Sequence, residues 1–368
     1  MQPLISVVIP LFNGMRFIGA TLSSVTHQTY QSLEILVVDD GSTDASVDVV
    51  RARQRQDPRI RLLRQPNRGV AAARNLAIDA ARGDYIAPLD ADDLWHPRKL
   101  ERQLRQLRDA PDVVGVVYSP QVSIDEQDRI LATCALRRPA EGVVWLQLLL
   151  GNLLGSASTP LIKRTCLERS GLYDERFFAA RAQGCEDWDL YFRLAEHCEF
   201  RFQPECLVAY RQLAHSMSLD TRAMLRSYAL MLEHLQSRGR AIPRQLMRWS
   251  RARYLLYLLE RCTRQRLCPA WPRLVLSVSR SDPACLLDRR FWRSLGRIGL
   301  AGVGLRRPRA GGALPRLSDC GGDWGAATTV QVGSQVPDGS ALATQIEIRR
   351  RRRIDAWQRC FDLPVTST

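Results

Sequence analysis

Three times in its first ninety residues the chain repeats a short apolar, β-branched run, a polar or glycine-rich turn, and an amphipathic stretch. Ile5–Ile9 leads into Phe12-Asn-Gly14, Glu34–Val38 into Asp39-Asp-Gly-Ser-Thr-Asp44, and Ile60–Leu63 into Asn67-Arg-Gly69 and an Ala-rich helix. Strands alternating with helices at this spacing predict βαβ units and a mostly parallel sheet flanked by helices. Ligands of such sheets collect beyond the carboxyl ends of the strands, where Pro10, Asp39 and Asn67 fall. A fourth strand, Tyr85–Leu89, runs into Asp90-Ala-Asp-Asp93, and His96-Pro97 opens a helix carrying Leu100, Leu104 and Leu107. Beyond it, Val113–Tyr118 and Thr159–Lys163 read as strands, Glu186–Glu196 as a helix and Phe200–Tyr210 as one closing strand.

The pattern then changes twice. From 216 to 304 Leu, Arg and aromatic residues recur at helical spacing, as in Arg253–Leu259, which predicts an α-helical, Arg-rich extension. From 305 to 368 Gly, Ser, Thr and Arg follow without period, ending in the run Arg349–Arg353, and this predicts a disordered tail. Residues 1–215 are thus the α/β domain. The uncharged stretch Val143–Ile162 has the length of a membrane span, but Gln147, Gly151, Asn152, Gly155 and Pro160 interrupt it. A core helix ending near Gly151, then a loop and a strand, is the expectation.

Charge separates the same regions. The formal net charge is +15, yet residues 1–200 hold 24 Arg/Lys against 26 Asp/Glu, so the whole excess lies beyond residue 200. Lys99 and Lys163 are the only lysines, a bias that codon usage explains as well as phosphate recognition does. None of the ten cysteines forms a C-x-x-C pair, which argues against structural zinc, and the N-terminus has no basic leader. Reduced thiols in a cytoplasmic protein are the expectation.

Candidate chemistry lies at the strand ends. Asp90 and Asp92, two residues apart on a tight turn, can direct oxygens at one hard cation, Mg²⁺ or Mn²⁺, and leave room for a diphosphate. Asp93 fits either this cluster or a cap for the following helix. Asp39 and Asp40 follow the second strand, where a carboxylate can accept from a base or a ribose. Arg74, in Asn67–Asn75, can reach a phosphate or form a buried ion pair with Asp90 or Asp92. Glu186-Asp187-Trp188-Asp189 puts acids at a helix start, where Asp187 can serve as general base and Glu186 and Asp189 suit the helix dipole.

These motifs, in this order over residues 3–215, resemble the family 2 glycosyltransferases of the GT-A fold. The resemblance rests on Val7–Asn13, Val37–Asp44, Asn67–Asn75, Leu89–Asp93 and Glu186–Leu190. It implies an inverting transferase that uses a nucleotide-sugar donor, commonly a uridine diphosphate sugar, and a saccharide or lipid-linked acceptor of a cell-surface polysaccharide. By the same resemblance Pro10, Asn13 and Asp39 line the nucleoside pocket, Asp90 faces the ribose and diphosphate, Asp92 is the principal metal ligand, and Asp187 is the base. The stretch Gln245-Leu-Met-Arg-Trp249 has the Gln-x-x-Arg-Trp spacing of processive synthases, but the multiple spanning helices of those synthases are not evident, so addition of single sugars is expected.

Two rival readings remain. A nucleotidyltransferase shares the sheet and the metal, but Pro10–Gly14 has no basic residue for a triphosphate loop. The basic C-terminal half would suit nucleic acid, yet no recognition motif accompanies it, and no nucleic-acid partner is expected. Arg-rich helices with Trp249, Trp271 and Trp292 fit peripheral attachment to the anionic inner face of the cell membrane.

Overall fold

The computed structural model describes residues 2–133, 139–213, 216–240, 242–264 and 270–302, together with 316, 317 and 349. The predicted tail therefore lies almost wholly outside the described residues. The four predicted N-terminal strands are present as β1 (Ile5–Leu11), β2 (Leu33–Asp39), β3 (Ile60–Arg64) and β4 (Tyr85–Pro88). The helices between them are α1 (Met15–Thr26), α2 (Ser46–Gln56) and α3 (Val70–Ala80). After β4 come β5 (Leu94–Trp95), α4 (Lys99–Arg108), β6 (Val114–Tyr118), β7 (Gln121–Ile124), β8 (Ile130–Thr133) and α5 (Trp145–Leu149). The α/β region is completed by β9 (Leu161–Lys163), α6 (Arg164–Ser170), α7 (Arg176–Ala179), α8 (Glu186–Leu194), β10 (Glu199–Phe202) and β11 (Val208–Arg211).

Seven strands form the main sheet in the order β10-β6-β9-β4-β1-β2-β3. All its pairings are parallel except those of β9, which runs antiparallel between β4 and β6. The strand order reverses at β1, which has β2 on one side and β4 on the other. Val8 pairs with Pro88 and Leu11 with Asp39, so Pro10, Asp39 and Asp90 leave the sheet at nearly one height. Side chains alternate across the sheet. Val7, Ile9, Leu11, Ile35 and Val37 share one core with Ile18 and Leu22 of α1 and Leu100 and Leu104 of α4. Val8, Leu36, Val38, Ile86 and Val116 join the opposite core with α3, α5 and α8. Burial on both faces explains why these strands read as continuous apolar runs.

The predicted closing strand Phe200–Tyr210 is in fact two strands in two sheets. β10 pairs with β6 in the main sheet, whereas β11 joins a second sheet in the order β5-β11-β7-β8. Pro204, which has no backbone N–H to donate, lies in the intervening turn. The Val143–Ile162 stretch contains the short helix α5 and the strand β9, and among the described residues no helix is long and apolar enough to cross a membrane.

The extension is helical, as its spacing predicts. It comprises a 3-10 turn (Met217–Leu219), α9 (Thr221–Ser237), α10 (Arg244–Arg264), α11 (Trp271–Ser281), a second 3-10 turn (Pro283–Leu287) and α12 (Arg289–Gly302). Asp220 caps α9 by accepting from the N–H groups of Arg222 and Ala223. Its apolar faces continue the second core: Met224, Tyr228 and Met231 of α9 and Leu255, Leu256 and Leu259 of α10 are buried with α5 and α8. Cys166, Cys185, Cys198, Cys206 and Cys285 are buried thiols, as expected; Cys262, against that expectation, is disulfide-bonded.

Candidate active site

The turn after β4 is held from three directions. Thr21 of α1 donates its hydroxyl to the carbonyls of Ala91 and Asp93, both at 2.9 Å. Ser158 accepts from the Asp90 N–H at 3.0 Å and donates to the Asp93 carboxylate at 2.6 Å. Arg211 at the end of β11 donates its backbone N–H to Asp93 and its Nε to the Asp92 carbonyl, at 2.9 and 2.8 Å. Asp93 is therefore fully buried and ties the turn to β11. It does not cap α4, whose first turn has no side-chain cap.

The Asp90 and Asp92 carboxylates take no part in these bonds, although Asp92 accepts from its own backbone N–H. Asp90 is partly open, at 28% side-chain exposure, and pairs with Arg74 Nη2 at 2.6 Å. Burial, and then the neighbouring Asp90 charge, push the Asp92 carboxyl up to about 7. Two neighbouring, partly exposed carboxylates that offer oxygen donors only are a fit for a hard divalent cation, which would relieve the repulsion that raises Asp92.

Arg74 answers the alternative left open by the sequence. It lies in α3 with only 3% of its side chain exposed, stacks over Tyr173 at 5.1 Å, and bridges Asp90 to Glu186 Oε1, the latter at 3.4 Å. It is a buried ion pair that joins the acidic turn to the start of α8. Although burial works against its charge, the acids Asp90 and Glu186 and the Tyr173 hydroxyl raise its pKa further, so it stays protonated. Its Nε is buried without an acceptor.

At the start of α8 the acids divide their tasks. Glu186 accepts from the Gly184 N–H at 2.6 Å and from Arg74. Asp189 pairs with Arg193 at 3.0 Å and faces His234 of α9 at 3.3 Å. Asp187 accepts from the Trp188 N–H at 2.7 Å and, weakly, from Asn152 Nδ2 at 3.4 Å. Burial, and then the adjacent Glu186, push the Asp187 carboxyl up to about 7, with Arg74 opposing. A carboxylate poised near neutrality is suited to accept a proton. Gly184 makes this entry feasible: its φ of +128° is strained for other residues, and a Cβ there would lie 2.3 Å from Met224 Sδ of α9.

The loops after β1 and β2 are clasped to each other. Asn13, at φ +49°, accepts from the Thr43 N–H at 2.8 Å and donates its own N–H to Ser42 Oγ, and Gly14 donates to Ser46 Oγ. Pro10 is buried in β1 beside Val38. Asp39 accepts from the Ser42 N–H and Arg64 Nε, one bond on each oxygen. Asp40 instead accepts three bonds, from Gln65 Nε2 and the N–H groups of Arg68 and Gly69, and so anchors the turn into α3. Phe12, half exposed beside Asn13, presents an aromatic side chain at this edge.

Among the described residues a separate group, Asp174, Asp189 and His234, has metal-ligand geometry. Arg176 and Arg193 already neutralise its two carboxylates, at 2.7 and 3.0 Å, so it balances its charge without a cation.

Three groups went unnoticed in the sequence. Thr21 and Ser158 lie among other hydroxyl residues, Ser23 and Ser24 for the one and Ser156 and Thr159 for the other, and nothing in the chain singles them out. Arg211 carried a signal, an arginine ending an apolar strand, but lay one residue beyond the end assigned to the closing strand.

Residues 6–163 match glycosyl transferase family 2. Over that region the chain is similar to the family. It is 40% identical over 131 residues to glycosyltransferase GlyG of Streptococcus pneumoniae, covering 35% of this chain and 42% of that protein. It is 31% identical over 192 residues to the putative glycosyltransferase EpsH of Bacillus subtilis, covering 49% and 56%. The chain thus spans about half the length of these curated relatives. Its fold is similar to residues 1–349 of S. aureus TarS, with TM-score 0.54 at 15% identity over 83% of this chain and 93% of that one. It is equally similar to the mannosyltransferase PcManGT from Pyrobaculum calidifontis, solved in complex with GDP-Man and Mn2+, with TM-score 0.54 at 19% identity over 83% and 86%. The α/β architecture expected from the sequence is the one observed, followed by the helical extension.

Proposed function

We propose that this chain is an inverting glycosyltransferase that moves one sugar from a nucleoside-diphosphate sugar to a hydroxyl of a saccharide or lipid-linked acceptor in cell-surface polysaccharide synthesis. One observation carries the reading. Arg74 brings Asp90 and Glu186 together, so the acidic turn and the Asp187 helix, far apart in sequence, meet across a single buried guanidinium.

Asp187 accepts the proton of the acceptor hydroxyl. The freed oxygen attacks the anomeric carbon from the side opposite the diphosphate, the bond to the diphosphate oxygen breaks, and the configuration inverts. Mg²⁺ or Mn²⁺, held by Asp92 and Asp90, would supply charge neutralisation for the departing diphosphate. Arg74 fixes Asp90 relative to Asp187, and Arg211 and Ser158 keep the turn's backbone still. Pro10, Asn13 and Asp39 line the nucleoside pocket, with Phe12 offering a face for the base; Asp39 keeps one lone pair on each oxygen for a ribose hydroxyl. We leave Asp40 out of this pocket, because its oxygens are engaged in the turn before α3.

A uridine diphosphate sugar is the donor we favour from the family resemblance. The experiment is a panel of uridine and guanosine diphosphate sugars with Mn²⁺, read by thermal stabilisation and then by hydrolysis, since a bound ligand raises apparent stability by mass action. Stabilisation by one sugar nucleotide and its metal-dependent hydrolysis is the expected result. Release of pyrophosphate from a nucleoside triphosphate, with no sugar-nucleotide hydrolysis, would favour a nucleotidyltransferase instead.

We further propose that the enzyme works in the cytoplasm, peripherally on the inner face of the cell membrane. Residues 216–302 hold 17 Arg and 5 acidic residues, and α12 exposes Arg289, Trp292 and Arg293 on one side while Phe291 and Ser294 are buried. Two of the three tryptophans named from the sequence do not take part: Trp249 is buried and Trp271 packs against the core. Trp292 is 60% exposed and donates its indole N–H to the Leu286 carbonyl, beside the exposed Leu286 and Leu287. Exposed apolar side chains among arginines favour a lipid surface over nucleic acid, which gains nothing from leucine.

A further inference from the structure

Near the transfer site the arginines of the α/β domain have acidic partners: Arg64 has Asp39, Arg74 has Asp90 and Glu186, and Arg211 has Asp128. Arg261, on α10 of the extension, is different. Its Nη2 donates to Ser218 Oγ at 2.7 Å and its guanidinium lies 5.7 Å from the Tyr257 ring centre. Its Nε is buried with no acceptor, and among the described residues no carboxylate pairs with it. A partly buried, permanently charged group whose Nε is an unfilled buried donor calls for an anion.

The surroundings show where that anion would sit. Tyr254, Tyr257 and Arg261 are spaced three and four residues apart and so share one face of α10. At one end of this face the Tyr254 hydroxyl lies 3.6 Å from Cys185 Sγ, and Cys185 immediately precedes the helix of Asp187. At the other end Arg261 reaches Ser218, and the neighbouring Tyr210 immediately precedes Arg211, which holds the Asp92 carbonyl. Tyr257, between the two ends, is partly exposed. Electrostatics agree with this path. Burial raises both hydroxyls; Arg261 lowers both, while Asp93 raises Tyr210 and Asp187 raises Tyr257. The face therefore runs from the base to the metal turn.

We infer that Arg261, with Tyr257 and Tyr210, forms an anion site through which the helical extension receives a phosphate group at the mouth of the transfer site. The inference rests on the glycosyltransferase reading for the origin of that phosphate, either the donor's diphosphate or a phosphate on the acceptor. The guanidinium fork matches two phosphate oxygens, and the tyrosine hydroxyls can donate to a third.

Calorimetric titration of the whole chain with inorganic phosphate, with uridine, and with uridine diphosphate plus Mg²⁺ tests it. Arg261→Gln should weaken inorganic phosphate at least about tenfold, the loss of one charge-assisted bond, and leave uridine within about twofold. If the phosphate is the donor's, uridine diphosphate weakens by a similar factor; if it is the acceptor's, uridine diphosphate binds unchanged. Should Arg261→Gln lose its fold, Arg261→Lys, which keeps the charge without the fork, should show a smaller loss of about threefold. Unchanged binding of both inorganic phosphate and uridine diphosphate by the variant, or no phosphate binding by the wild-type chain, would overturn the inference. Arg261-dependent phosphate binding in a chain that binds no nucleoside or nucleotide would leave the anion site standing and count against the transferase reading.

Discussion

Residues 2–213 and the extension at 216–302 handle charge in opposite ways. In the α/β domain, buried charges answer one another: Arg74 meets Asp90 and Glu186, Arg193 meets Asp189, and Arg211 meets Asp128. In the extension 17 arginines face 5 acids, and Arg261 keeps a buried Nε without an acceptor. The contrast teaches that the two regions solve different problems. The first region must hold a fixed constellation, so its arginines are spent internally. The second can offer its positive charge to molecules outside the protein.

The comparison can be broken most forcefully at Asp187. Asp187→Asn should lower turnover by about 10²–10⁴-fold while nucleoside diphosphate binding persists, because only the proton acceptor is lost. Equal loss of binding and turnover would make Asp187 part of the structural network instead. Next in size is Arg74→Leu, which strands Asp90 and Glu186 without their shared cation and should cost about 3–5 kcal/mol in denaturant unfolding. A change under about 1 kcal/mol would show that the bridge is not structural.

A smaller effect separates the regions by pH. With the Asp187 carboxyl pushed up to about 7, the base is protonated below that point, so kcat/KM should fall about tenfold per pH unit on the acid side. The stability consequence has the opposite sign. A carboxyl whose folded pKa is raised contributes stability below its unfolded value, near 4, and that contribution fades as pH rises through 7. Asp187→Asn should therefore gain stability relative to wild type at pH 8 compared with pH 4. A flat difference between the two pH values would contradict the assigned shift. The smallest effect is expected in the extension: Trp292→Ser should weaken binding to anionic vesicles severalfold, leave any binding to neutral vesicles as it was, and leave activity on a soluble acceptor unchanged. Sedimentation with vesicles at low and high salt checks it, and no binding by the wild-type chain would remove the membrane from the account.

Much of the α/β region could be read from the chain because β1, β2 and β4 are buried on both faces, which writes an unbroken apolar run into the sequence. Asp90 and Asp92 stood out because acids directly after such a run have few other reasons to be there, whereas Asp187 starts a helix that acids suit anyway and was one candidate among three. What stayed hidden depends on tertiary contact. Phe200–Tyr210 looks like one strand, since nothing local says that its two halves belong to different sheets. Asp40 and Asp39 look equivalent, yet only the fold brings Gln65, Arg68 and Gly69 to Asp40. In the extension helical spacing was legible, but not which tryptophan faces solvent: Trp249 and Trp292 have similar neighbours in sequence and opposite burial.

The most direct test of the central claim is Mn²⁺-dependent hydrolysis of the stabilising sugar nucleotide by the wild-type chain and by Asp92→Asn. The account predicts that hydrolysis needs the metal and falls by about 10²–10³-fold in Asp92→Asn, with the apparent affinity for Mn²⁺ weakened in parallel. Hydrolysis that proceeds in chelator, or an Asp92→Asn enzyme with wild-type rate and metal affinity, would contradict it.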